Sequence, residues 1–219
     1  PAALDFQQAN GDISIDHVFA RLRPVLVLGT GALGLLIGLQ MRISRWSELK
    51  DSALRTALVV SLVTAGSVVG IPAGLLMLFS PDYVLFNALP LLLCAGAVAM
   101  VAADAPIRSL AAFLGASGPA TGLATRTARF CSSIAVIFFG LIFCFYHVGE
   151  IVPYDTARWL QWLIIHLMLG AILGRIFDAF LQQDYSDDKV LTIAIGMVIF
   201  ASGLAYGLQL SPVFVNFIM

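Results

Sequence analysis

Charge is scarce in this chain. Asp, Glu, Lys and Arg make up 11% of its 219 residues, against about 25% in soluble domains, too little to cover a solvated surface. A net charge of −1 also argues against a nucleic-acid partner, which would call for a basic patch. Cysteine is nearly missing: Cys94, Cys131 and Cys144 all lie inside apolar runs, where thiols are small packing groups, not disulfide or metal partners. No metal-ligand spacing, glycine-rich phosphate loop, Ser-His-Asp set or pair of catalytic carboxylates can be assembled. The chain is therefore expected to be no enzyme and to carry no cofactor.

What is abundant is apolar. Hydrophobic residues make up 60%, and the mean hydropathy is +0.95. Uncharged runs occupy Pro24–Met41, Thr56–Pro81, Tyr83–Ala103, Phe130–Gly149, Trp159–Gly174 and Val190–Met219. A helix rising 1.5 Å per residue needs about 20 residues to cross a hydrocarbon layer of about 30 Å. The expected fold is all-α: a polytopic membrane bundle of about six transmembrane helices, at 24–41, 56–79, 84–103, 130–148, 158–181 and 190–210. Residues 1–23 read as an external polar segment ending in a short interfacial helix, and 24–219 as the transmembrane domain. The chain opens at Pro1 and stops within the apolar Asn216-Phe217-Ile218-Met219, as a segment of something longer would.

Glycines recur four apart on several spans: Gly34 and Gly38; Gly66, Gly70 and Gly74; Gly170 and Gly174; Gly203 and Gly207. Such small-xxx-small faces let helix backbones approach where lipid gives no hydrophobic drive to associate, within the chain or against a partner. Pro24 suits an early helical position, and Pro72 predicts a kink. Arg42, Arg45, Trp46 and Lys50 make a basic connection that the positive-inside rule sets in the cytoplasm. Alternation then puts nine of the twelve basic residues inside, with the N-terminus outside a bacterial-type inner membrane.

The third span ends unusually, at Ala102-Ala103-Asp104-Ala105-Pro106-Ile107-Arg108. Proline removes a backbone donor and disfavours helix at the residue before it. A break is expected near residue 105, followed by a short helix at about 107–114 that stops at Gly115, then a connection bearing Arg126 and Arg129. Asp104 is either an ion or proton ligand, costly at membrane depth unless it faces a cavity, or an N-cap for the short helix. Ser132 and Ser133 are either ion ligands or packing residues bonded to their own preceding turn. His166 reads as a proton relay or as a hydrogen-bonded residue at a helix interface. Arg175 and Asp178 are spaced for a local pair.

Four passages together resemble the membrane domain of the monovalent cation:proton antiporter superfamily: LLIGLQMRISRWSELK, LLLCAGAVAMVAADAPIRSLAAFLGASG, RFCSSIAVIFFGLIF and LTIAIGMVIFASGLAYGLQLSPVFVNFIM. The resemblance implies inverted repeats with discontinuous helices and alternating access by rigid-body movement. It implies Na⁺ or K⁺ and protons as the transported species. The family's first unwound region, Thr-Asp-Pro or Thr-Ser-Pro, aligns with Asp104-Ala105-Pro106, and its Asp-Asp or Asn-Asp pair falls on Ser132-Ser133. A serine hydroxyl can ligate an ion but cannot titrate. The expected partners are the lipid bilayer and other membrane subunits or a second copy. The rival reading is a transport-inactive structural subunit.

Overall fold

The structure, a computed structural model, describes residues 15–41, 52–79, 84–146, 156–182 and 187–219. Among these there is no strand. The helices are α1 (Ile15–Gln40), α2 (Ser52–Phe79), α3 (Val84–Ala99), α4 (Asp104–Phe113), α5 (Pro119–Tyr146), α6 (Thr156–Leu181), α7 (Asp187–Gly207) and α8 (Pro212–Ile218). Trp46 with its basic connection, the turn at Pro81, the loop bearing Glu150, Pro153 and Asp155, and Asp184 lie outside the described residues.

Six stretches are long and apolar enough to cross a membrane, the third running from Ala88 to Phe113 through the break between α3 and α4. Large apolar side chains such as Leu62, Leu78 and Leu91 face outward. Monomeric soluble proteins rarely expose apolar surface on that scale. This is an integral, all-α membrane protein.

Two boundaries differ from the sequence reading. Helix α1 runs unbroken from Ile15 through Pro24, so there is no separate interfacial helix within the described residues. Transmembrane helices tolerate such a proline because neighbouring groups re-satisfy the freed carbonyl. Helix α5 begins at Pro119, not Phe130. Its first eleven residues are rich in Ala and Thr, polar enough to hide from hydropathy yet able to form helix, and Arg126 and Arg129 therefore ride on α5.

The helices form two groups that share α5. Helices α1, α6, α7 and α8 enclose Leu35, Leu173, Phe177, Met197, Ala201, Ala205 and Val215. On the other side α2, α3 and α4 pack on α5 around Ala97, Met100, Ala135 and Ile142. Helix α5 also touches α1, α6 and α8.

Helix α8 is the innermost element. A Cβ on Gly34 would collide with the Val213 carbonyl, and one on Gly38 would lie 2.6 Å from that of Phe217. The matching four-residue step shows that α1 and α8 run in the same direction. On α6, a Cβ on Gly170 would stand 2.6 Å from Ile218, and one on Gly174 would stand 2.6 Å from the Met219 carbonyl. Gly140 of α5 leaves room for the Phe214 ring. The chain thus presses a seven-residue helix against bare backbone on three sides. Gly66, Gly70, Gly74, Gly203 and Gly207 have no atom of the described chain within 4 Å of where a Cβ would stand. Among the described residues their spacing serves no close helix contact.

Candidate functional site

The site is built on the break between α3 and α4. A helix continuing from α3 would need the Pro106 nitrogen to donate to the Ala102 carbonyl, four residues back, and proline has no hydrogen to give. Helix α4 restarts at Asp104, which puts Pro106 in its first turn, where N–H groups lack intrahelical partners anyway. The orphaned carbonyl is covered from α5: Ser132 Oγ donates to Ala102 O at 2.6 Å, sharing its hydrogen with Ala128 O at 3.2 Å. Ser132 supplies the hydrogen bond that Pro106 cannot.

Asp104 is not the N-cap. That position belongs to Ala103, in extended conformation at φ −81° and ψ 127°, with no side-chain cap. Asp104 lies in the first turn, buried at 6% exposure, where a negative charge suits the positive end of the helix dipole. Its Oδ2 accepts from Arg129 Nε at 2.8 Å and from Arg108 Nη2 at 2.9 Å. Ser133 Oγ donates to the Arg129 carbonyl at 3.1 Å. The three residues singled out by sequence are therefore neighbours around one turn of α5. Both hydroxyls donate to backbone oxygens, as back-bonded serines do, and the carboxylate holds two guanidiniums.

Arg129 is the member that sequence reasoning missed. Its signal was present, since Asp104 is the only acid between Asp82 and Glu150, against Arg108, Arg126 and Arg129. At the break the Ser132 hydroxyl meets two backbone carbonyls, and the Asp104 carboxylate meets two guanidiniums. An incoming cation would meet two fixed positive charges and one negative charge there. Among the described residues no group of three or more His, Cys, Asp or Glu side chains could hold a metal ion.

A second polar node holds α8. His166 is fully buried; its Nδ1 lies 2.7 Å from the Trp162 carbonyl, which accepts the ring proton, and its Nε2 accepts from the Ser211 backbone N–H at 3.0 Å. The imidazole is thus a fixed neutral acceptor at the start of α8. The Cys144 thiol lies 3.7 Å from Nδ1. Asn216 Nδ2 donates to Ser202 Oγ at 3.2 Å and to Pro212 O at 2.9 Å, and Gly31 is needed beside them because a Cβ there would strike Ser202 Oγ. The expected Arg175–Asp178 pair is not formed; Asp178 accepts instead from Gln182 Nε2 at 2.9 Å.

The chain matches no family model, no curated protein and no solved structure.

Proposed function

We propose that the chain is a helical domain of a membrane transport protein of monovalent cation:proton antiporter type, with an altered ion site. One observation supports the reading: a transmembrane helix broken at residues 100–103, whose freed carbonyl is met by Ser132, one of the two positions on which the family's Asp-Asp or Asn-Asp pair falls. Irregular backbone at membrane depth is tolerated where protein buries it or where it lines a cavity, and transporters build ion sites from such breaks. Two helix groups sharing α5 are the kind of architecture that one group moving against the other requires. Asp104, Ser132 and Ser133 are the residues we assign to the site.

A second reading, a transport-inactive structural subunit, is favoured by a different observation. The one carboxylate at the break is held by two arginines, and neither serine can exchange a proton.

Proteoliposomes of the full-length protein enclosing a pH-sensitive dye separate the two. The transport reading expects an internal pH change when Na⁺ or K⁺ is added outside, lost in Asp104→Asn. No response to either cation from folded protein would leave the structural reading standing.

A further inference from the structure

We propose that the outer side of the α4–α5 junction is a docking surface for the headgroup of an anionic phospholipid. Positive charge is in excess at the junction itself, where Arg108 and Arg129 meet one acid, Asp104. That acid lies beneath both of them. Asp104 is buried, whereas Arg108 is 57% exposed and Arg129 27% exposed. Arg108 has five N–H donors, and the bond to Asp104 leaves most of its fork facing outward. The buried carboxylate fixes both guanidiniums, so they are presented as an ordered pair with an excess of positive charge.

Depth fits the same occupant. Helix α5 has 28 residues, about 42 Å at 1.5 Å each, longer than a hydrocarbon layer of about 30 Å. With Tyr146 at one interface, as aromatic residues prefer, about 20 residues back along α5 reach the turn carrying Arg126 and Arg129. Arg126 therefore stands at the edge of the hydrocarbon layer, with Arg129 about one turn deeper, within reach of the phosphates for a long side chain that extends toward the interface. Among the described helices, α4 packs mainly on α5. Its Ile107 and Ala111 are half-buried, and it leaves Leu110, Phe113 and Leu114 exposed, Phe113 at 87%. Short amphipathic helices with such side chains lie in the lipid interface, which sets acyl chains beside Phe113 and phosphate beside Arg108. Basic pockets between transmembrane helices select anionic headgroups in this way.

Lipid titration of the full chain in detergent, followed by thermal unfolding, tests the assignment. Phosphatidylglycerol is expected to raise the unfolding temperature where phosphatidylcholine does not. Arg108→Gln, at an exposed position whose loss shifts the lipid-free unfolding temperature only slightly, should weaken the phosphatidylglycerol affinity about fivefold, measured against the variant's own lipid-free value. Phe113→Ala should weaken it as well, and glycerol phosphate at equal concentration should have no effect. Equal shifts with both lipids, or undiminished affinity in Arg108→Gln, would overturn the proposal. A shift with glycerol phosphate matching that with the lipid would also overturn it, marking a free-anion site instead.

Discussion

Arg129 reaches across 25 residues of sequence to donate its Nε to Asp104 Oδ2 at 2.8 Å, while its own carbonyl receives the Ser133 hydroxyl. The start of α4 is thereby fixed to the middle of α5. Removing either member of a buried pair leaves a charge without its partner, which costs more than the pair itself contributes.

Arg129→Ala is expected to destabilise the protein by about 2 kcal/mol, between the values for exposed and buried pairs. Arg108→Ala, which removes the exposed member of an i,i+4 pair and leaves Asp104 its bond to Arg129, should cost less, about 0.5 kcal/mol. Unfolding in mixed SDS micelles measures both, and a double-mutant cycle with Asp104→Asn isolates the coupling.

The two adjacent serines should behave differently. Ser132→Ala leaves the Ala102 carbonyl beside a proline that cannot bond it, at a cost of about 1–2 kcal/mol. Ser133→Ala removes a hydroxyl that only supplements a helical carbonyl and should change stability by less than about 0.5 kcal/mol. Equal losses in the same unfolding assay would show that Ser132 does not stand in for the missing donor.

Glycines of identical spacing should divide by what they touch. Gly34→Ala and Gly38→Ala force a methyl group into the backbone of α8 and are expected to cost about 1–3 kcal/mol. Gly66→Ala and Gly70→Ala meet open space and should be neutral or stabilising, since alanine favours helix by up to about 1 kcal/mol over glycine. If the α2 variants shift oligomeric state in analytical ultracentrifugation, that face meets a partner.

Helix ends offer a paired test. Helix α4 closes with Gly115 at φ 62°, the Ala116 N–H donating to Ala111 O at 2.8 Å; helix α7 closes in the same way with Gln209 at φ 58° and the Leu210 N–H donating to Ala205 O at 2.8 Å. Only glycine takes this conformation without strain. Gly115→Ala should cost about 1 kcal/mol, and Gln209→Gly should gain roughly 0.5 kcal/mol after the entropy of the unfolded chain is counted. Thermal unfolding of the two variants checks the opposite signs.

Much of this was legible in the residues, for identifiable reasons. Apolar runs of membrane length report six crossings because lipid leaves the backbone few alternatives, and Pro106 announces the break because a proline cannot donate. Gly115 marks the end of the short helix through its positive φ. The sequence of 119–129 could not reveal that α5 continues there: Gly118, Pro119 and Gly122 read as a connection, whereas Pro119 only opens the helix, a position that proline suits. Nor could spacing tell Gly34 from Gly66. Both satisfy the same pattern, and only the arrival of α8 distinguishes them. The Asp104–Arg129 pair was hidden for a related reason: partners 25 residues apart share no local periodicity.

Helix α8 also constrains how the protein is made. Synthesis runs from the N-terminus, so the glycine-lined walls supplied by α1, α5 and α6 leave the ribosome before the segment that fills them. Until it docks, the membrane holds an unfinished slot, and a substitution that narrows the slot would stall maturation without disturbing a single finished crossing.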